Sequence, residues 1–260
     1  MLLCAAGDIH GALDRMYDDV LSFETALGAQ FAWILHVGDF GIWPDPHRID
    51  RGARRHDGAG DFAGWLAKRS TAPRRTVFIK GNHEDFLWLD AQQNPEVLPG
   101  ILYLRNGQTL TLGDSGHTVR VGGVGGCYGP SDFERPSKHL QGYAKRHYTR
   151  DEIEALCEGA PVDVLLLHDA PTGIRFEKHR RGSDWVSETA GLDGLIFRLR
   201  PLVCFFGHHH TPVDGEIAGV RCIGLNKVRM PGNLVAIDID PGRREWSVLA
   251  EWPARHDAWA

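Results

Sequence analysis

The chain has 260 residues, of which 42% are hydrophobic and 9% aromatic, enough to fill a sizeable core. Its formal net charge of −5 argues against a protein that coats nucleic acid broadly, although it does not exclude a local basic rim. No stretch approaches about 18 consecutive apolar residues, so we predict that no segment spans a membrane. We expect a single α/β domain over residues 1–260.

The cysteines and the amino terminus predict a cytoplasmic protein. Five scattered cysteines, three of them in apolar runs, are typical of reduced core thiols. The amino terminus has no basic segment, and its apolar run ends at Ala6, so we interpret it as a first strand and not as a signal peptide.

The first half of the chain alternates predicted strands and helices. Apolar runs predict buried strands, and helical spacing of apolar residues predicts the helices between them. The strands are Leu2–Ala6, 33–37 and 76–79, and the helices are Leu13–Leu27, 62–69 and 85–91.

Strand patterns dominate from residue 101 onward. Two helices interrupt them, one at 150–157, with Thr149 as N-cap and Glu152 at N3, and one at 187–199. The main predicted strands are 101–104, 109–112, 118–124, 162–167 and 202–206, and shorter strands follow them.

Short polar motifs follow most of these strands. Because the carboxyl ends of strands in an open α/β fold meet at one rim, we expect the polar side chains to converge there. Carboxylates and imidazoles without thiolates form a ligand set for two divalent ions (Mn, Fe, Ni or Zn) and not a structural zinc site. The residues concerned are Asp8, His10, Asp39, Asn82, His83, His168, His208 and His210.

The spacing of these residues indicates how two ions would share them. Asp39 lies alone at a strand end, so it is the candidate for a carboxylate shared by both ions. Asp8 and His10 are two apart in a segment predicted to be extended, so both would face one metal. His208 and His210 repeat that spacing and would supply one imidazole to each ion.

In this order, the motifs resemble the calcineurin-like metallophosphoesterase superfamily over residues 1–228. The resemblance implies a four-layer α/β/β/α sandwich, in which two mixed sheets are flanked by helices. It also implies that Asp8, His10, Asp39 and His210 hold one metal, while Asp39, Asn82, His168 and His208 hold the other. His83 is then the non-ligand histidine beside the substrate.

The chemistry implied is hydrolysis of a phosphate ester, most readily a phosphodiester of a nucleotide or nucleic acid. A hydroxide bridging the two metals would attack phosphorus in line, and His83 would act as general acid on the leaving oxygen. Two alternatives stay open: a phosphomonoesterase acting on phosphoproteins or small molecules, and a binding scaffold without activity. The scaffold is disfavoured because no ligand position has lost its ligand.

A closer likeness links the chain to the catalytic domain of RNA lariat debranching enzymes. It is carried by Val121-Gly-Gly-Val-Gly-Gly126, Phe133-Glu-Arg-Pro136, His168-Asp-Ala-Pro-Thr-Gly173 and Gly224-Leu-Asn-Lys-Val228. The chain departs from that family in its first motif, where debranching enzymes carry Cys in place of Asp8 or Ile9. The likeness implies a phosphodiester substrate, without establishing a lariat RNA.

Several residues near the motifs have two interpretations. Asp169 either orients an imidazole or lies at the surface, and the glycines at 122–126 either cradle a phosphate or let a strand pass close to its neighbour. His209 is expected to point outward as a spacer. Histidines in polar loops, among them His56 and His147, are expected to be solvated.

Overall fold

The computed structural model describes residues 1–56, 58–177 and 183–254. Its α-helices are α1 (Leu13–Leu27), α2 (Asp61–Lys68), α3 (Phe86–Ala91), α4 (Arg150–Glu158) and α5 (Leu192–Leu199). Short 3-10 turns lie at Pro46–Arg48, Ala53–Arg55, Ser137–His139 and Gly142–Arg146.

The first sheet is mixed, with a parallel centre and antiparallel edges. Its order is β15-β14-β1-β2-β3-β5-β4 within the described residues. The pairs β1–β2, β2–β3 and β3–β5 are parallel, while β14 and β4 pair antiparallel with their neighbours. The strands are β1 (Leu2–Ala6), β2 (Trp33–His36), β3 (Thr76–Phe78), β4 (Glu96–Leu98), β5 (Ile101–Tyr103), β14 (Leu234–Asp240) and β15 (Glu245–Trp252).

The second sheet is also mixed, and its strand order is β12-β13-β11-β8-β7-β6 within the described residues. The pairs β7–β8, β8–β11 and β11–β13 are parallel, and the two edge strands are antiparallel. Its strands are β6 (Thr109–Asp114), β7 (His117–Val124), β8 (Val164–Leu167), β11 (Val203–Phe206), β12 (Val213–Ile217) and β13 (Val220–Gly224), and a separate pair joins β9 (Arg175–Phe176) to β10 (Trp185–Val186).

The side-chain alternation of β1 explains the layers. Leu3 and Ala5 lie in the apolar core between the two sheets, whereas Cys4 and Ala6 pack in the core shared with α1. Successive side chains of a buried strand point to opposite faces, so a continuous apolar run serves two cores at once. Helices α4 and α5 cover the outer face of the second sheet. The prediction of a four-layer α/β/β/α sandwich of two mixed sheets is confirmed.

One predicted helix is too long. The predicted helix covered residues 187–199, but α5 begins only at Leu192. Gly191, directly before it, has a φ of 83°, and the residues before Gly191 form hydrogen bonds with another segment. The hydroxyls of Ser187 and Thr189 both donate to the carbonyl oxygen of Ala170. These hydrogen bonds tie residues 187–189 to the loop that follows β8, so this segment does not form a helical turn.

The start of α4 agrees with its sequence pattern. The Glu152 carboxylate accepts from the backbone N–H of Thr149 at 3.0 Å, as expected for a capping box. No helix in the described part of the chain is long and apolar enough to cross a membrane. One domain over residues 1–260 stays a prediction, and residues 255–260 lie outside the described residues.

Candidate metal centre

All seven predicted metal-ligand residues lie just beyond strand ends at one rim of the packed sheets. Asp8 follows β1, Asp39 follows β2, and Asn82 follows β3. From the second sheet, His168 follows β8, and both His208 and His210 follow β11. The first sheet therefore supplies the carboxylates and the amide, and the second sheet supplies most of the imidazoles.

The ligand atoms of Asp8, His10, Asp39 and His210 all lie within 4.8 Å of one another. His210 Nε2 is 2.9 Å from Asp8 Oδ2 and 2.9 Å from His10 Nε2. His10 Nδ1 is buried and has no hydrogen-bond partner among the described residues. Two carboxylates and two imidazoles, one with an unused nitrogen, form a donor set that fits a divalent transition ion.

The protonation states of this group also fit a cation. Burial lowers the pKa of His10 to about 4, against the opposing charges of Asp39 and Asp8, so the ring is neutral near pH 7. Burial favours the protonated form of Asp8, but the hydrogen bond and charge of His210 outweigh it and hold the Asp8 pKa well below its usual range. Neutral imidazole and ionised carboxylate are the forms that bind metals.

A second group adjoins the first through Asp39. Asn82 Oδ1 is 2.9 Å from His168 Nε2, and that same nitrogen is 3.6 Å from Asp39 Oδ1. The other carboxylate oxygen of Asp39, Oδ2, is 3.6 Å from His10 Nδ1. The His208 ring lies 5.0 Å from the His168 ring. Asp39 thus stands between the two groups, with one oxygen facing each.

Strained backbone marks four of these residues. His10, Asp39, His208 and His210 have φ values of 50°, 51°, 67° and 51°, in the left-handed region that favours glycine. Each such conformation costs roughly 1–3 kcal/mol and persists where the surrounding structure enforces it, often at functional sites. The prediction of an extended segment through His10 is wrong, because the chain turns there to aim the imidazole at Asp39.

Glycines beside the ligands allow the close approach. A Cβ at Gly81 would lie 2.0 Å from both the amide nitrogen and Oδ1 of Asp39, and one at Gly207 would lie 2.2 Å from Asp8 Oδ1. At Gly41, with a φ of 83°, a Cβ would be 2.1 Å from the amide nitrogen of Gly11. The glycines of the motifs therefore let loops from different strands pass at backbone contact distance.

Glu84 holds the loop that carries Asp39, a role that the sequence did not indicate. Its buried carboxylate accepts from the backbone N–H groups of Phe40, Gly41 and Ile42 at 2.6–3.0 Å, and from Gly81 at 3.4 Å. Burial, followed by the charge of Asp39, raises the pKa of Glu84 to about 8, while the backbone N–H groups oppose that rise. The fourth residue of the Gly81-Asn-His-Glu84 motif thus fixes a loop.

His83 points to an acidic partner. Its Nδ1 lies 2.8 Å from Oδ2 of Asp50, in the loop after β2, and its backbone N–H donates to Asp39 Oδ1 at 2.8 Å. Burial lowers the pKa of His83, but the hydrogen bond to Asp50 and the charges of Asp39 and Asp50 outweigh it, so the pKa is raised. The centroid of the His83 ring lies 5.9 Å from that of the His10 ring, so His83 lies beside the first group. Asp50 was not among the predicted site residues.

Three histidines that were expected to be solvated or to point outward contact other side chains of the protein. His56 stacks on His10 with centroids 3.7 Å apart, and His147 Nδ1 is 2.7 Å from Asp132 Oδ2. His209 is not an outward spacer, since its Nε2 lies 3.0 Å from the buried Asp169 carboxylate. Asp169, His208 and His209 form a further group whose ligand atoms lie within 4.8 Å of one another. Asp169 is therefore buried and paired with an imidazole, and does not lie at the surface.

The glycines at 122–126 pack closely against neighbouring segments of the protein. A Cβ at Gly123 would be 2.5 Å from Ile79 Cγ2, and one at Gly125 would be 2.2 Å from the carbonyl oxygen of Lys80. The structure thus favours close passage of β7 over the end of β3 as the reason for these glycines.

The comparisons with known proteins agree with this geometry. The family model for calcineurin-like phosphoesterases matches residues 1–212, so the chain belongs to the calcineurin-like phosphoesterase family. It is similar to proteins named lariat debranching enzyme from Arabidopsis thaliana (25% identical, covering 98% of this chain and 67% of that protein) and Drosophila melanogaster (30% identical, covering 81% and 43%). A putative 5′-nucleotidase from Staphylococcus aureus shares the fold at a TM-score of 0.53 and 13% identity, covering 96% of this chain and 53% of that one. The prediction of a phosphoric ester hydrolase is confirmed at the level of the family.

Proposed function

We propose that this chain is a phosphodiesterase that depends on two divalent ions and cleaves phosphodiesters of nucleotides or nucleic acids. Asp8, His10, Asp39 and His210 would hold one ion. Asp39, Asn82, His168 and His208 would hold the other, so Asp39 would serve both. The family itself supports the hydrolase class, while the ligand roles and the substrate are our proposal.

The observation that carries the proposal is the position of Asp39. Its two carboxylate oxygens each lie 3.6 Å from an imidazole nitrogen, Oδ2 facing His10 and Oδ1 facing His168. A carboxylate that faces two donor groups in this way suits a ligand shared by two ions. Its burial, at 1% exposure, keeps water from competing for those oxygens.

When bound, the ions would supply positive charge to the phosphate oxygens and a water activated near neutral pH. The residues of the chain balance the charge of the ions and supply the proton for the leaving group. Asp8 and Asp39 bring negative charge that offsets the charge of the ions. Asp50 holds the His83 ring by its Nδ1, so that Nε2 is the nitrogen left to give a proton to the leaving oxygen.

The relatives support a diester substrate. The Arabidopsis and Drosophila relatives, which match over most of this chain, are named lariat debranching enzyme, and that name implies cleavage of an RNA phosphodiester. This chain spans 67% of the Arabidopsis protein and 43% of the Drosophila one, so its own substrate is proposed on chemical grounds. The cytoplasmic location and the identity of the ions stay predictions.

The His83→Ala variant tests the proposal through the leaving group. We expect it to slow cleavage of a dinucleoside monophosphate, whose alkoxide must be protonated, by about 100-fold or more. Bis-nitrophenyl phosphate should be slowed far less, because nitrophenolate leaves without a proton. The matched control is His139→Ala, a loop histidine on the Ser137–His139 turn. Equal losses on both substrates would exclude His83 as the general acid.

A further inference from the structure

A basic cleft of about 260 Å³ opens beside the first metal-ligand group. Its lining is Arg55, His56, Lys227, Val228, Arg229 and Met230. None of these residues is acidic, although the whole chain carries a formal net charge of −5. The positive charge here is therefore a local feature and not a consequence of a basic surface.

Both walls of the cleft are attached to the Asp8–His10 motif. On one wall, the His56 ring stacks on the His10 ring at 3.7 Å with an interplanar angle of 14°. On the other wall, the backbone N–H of Val228 donates to the carbonyl oxygen of Asp8 at 2.8 Å. The cleft thus adjoins two of the residues that we assign to the first ion, through His56 against His10 and Val228 against Asp8.

Two of its cations are available to a ligand. Arg55, at the end of the Ala53–Arg55 turn, is exposed, and Lys227 is half-buried. Among the residues that the structure describes, no acidic side chain forms an ion pair with either of them. Two cations on the two walls, neither of them in an ion pair with an acidic side chain of the described residues, attract an anion into the space between them.

Resting on the function proposed above, we infer that this cleft binds a phosphate of a single-stranded nucleic acid next to the one being cleaved. A strand that places one phosphodiester over the metal group must continue along the rim, and the cleft adjoins that group. Arg55 and Lys227 would contact the phosphate, while Met230, 43% exposed, offers an apolar surface to the neighbouring sugar or base.

Binding without metal tests the inference separately from catalysis. A fluorescein-labelled RNA octanucleotide of uridines is titrated, in EDTA, into the wild type and into R55A/K227A, and fluorescence anisotropy gives Kd at several salt concentrations. We expect the variant to bind about tenfold more weakly near 50 mM salt, with the slope of log Kd against log salt reduced by about 0.7, since the two side chains neutralise one phosphate and each neutralised phosphate of a single strand contributes about 0.7.

The control is R243A/R244A, which removes two cations from the turn between β14 and β15 at the other end of β1. That variant should keep the wild-type Kd and slope. Equal Kd values for R55A/K227A and wild type, or no binding by wild type, would overturn the inference. So would displacement by ATP as effective as by unlabelled octanucleotide at equal phosphate concentration, because the cleft would then bind a polyphosphate. Cleavage of a dinucleoside monophosphate, which has no neighbouring phosphate, reports on the proposed function alone.

Discussion

Glu84 supports the candidate centre although it is not one of the assigned metal ligands. Its carboxylate gathers four backbone N–H groups from two loops, those of Phe40, Gly41, Ile42 and Gly81. Buried donors left without an acceptor each cost roughly 1–3 kcal/mol, so one side chain stabilises the whole turn that presents Asp39.

The Glu84→Ala variant should therefore lower the free energy of unfolding by at least about 3 kcal/mol, because several buried N–H groups lose their acceptor. Urea denaturation followed by circular dichroism measures this change. Glu84→Gln keeps the size and one carbonyl oxygen, and we expect it to lose less. A loss below about 1 kcal/mol for the alanine variant would show that water or another group satisfies these donors.

Asp50 is a positioning residue for His83, which it contacts at 2.8 Å. We expect Asp50→Asn to slow cleavage of a dinucleoside monophosphate by roughly tenfold, less than His83→Ala does, while affecting the nitrophenyl diester little. The readout is the ratio of kcat/KM for the two substrates. Asp45→Asn, in the same loop, is the control, since the Asp45 side chain only caps the Pro46–Arg48 turn. An unchanged ratio for Asp50→Asn would exclude the positioning role.

At the scale of loops and strands, the contact between the β2 and β3 loops depends on the absence of a side chain at Gly81. Gly81→Ala would place a Cβ 2.0 Å from Asp39 Oδ1, so Asp39 must move. We expect the metal affinity to fall at least about tenfold, as when groups that support metal ligands are altered. Metal content after dialysis against buffered ion measures this loss.

Gly194→Ala is the matched control within α5, where a Cβ would meet nothing within 4 Å. It should leave metal content unchanged and raise the free energy of unfolding by up to about 1 kcal/mol, because alanine favours a helix interior. Unchanged metal affinity in Gly81→Ala would mean that the loops can separate without disturbing the centre.

The sequence predicts elements of this site to unequal degrees. Asp8, Asp39, Asn82 and His168 could be placed together because each follows an apolar strand, and strand ends share a rim. Asp50 could not, since it lies in an irregular loop 33 positions before His83, and no periodicity relates the two. His56 likewise stacks on His10 from an irregular segment, and no periodicity relates the two residues. The end of α5 followed from its pattern, but its start depended on tertiary hydrogen bonds to Ala170.

At the scale of the whole molecule, bound ions would join the two sheets. The first sheet provides Asp8, Asp39 and Asn82, and the second provides His168, His208 and His210. Ions held by these residues would therefore cross-link the sandwich at its rim. A ligand that binds only the folded state stabilises it by about 2.7 kcal/mol at a concentration of 100 times its Kd.

We therefore expect EDTA to lower the free energy of unfolding by about 3 kcal/mol relative to protein in such an excess of ion. Chemical denaturation with and without the chelator measures the difference. Asp39→Asn, which weakens the shared ligand, should show a much smaller difference. A wild type indifferent to EDTA would argue that the ions do not couple the two sheets.

The most direct measurement is the activity of metal-stripped protein reconstituted separately with Mn, Ni, Fe(II) and Zn. The substrates are a nitrophenyl monoester, a bis-nitrophenyl diester, and 2′–5′ and 3′–5′ dinucleoside monophosphates, with bound metal counted in each sample. We predict two ions per chain and metal-dependent cleavage that favours diesters over the monoester. Two bound ions without turnover, or a clear preference for the monoester, would contradict the assignment as a two-metal phosphodiesterase.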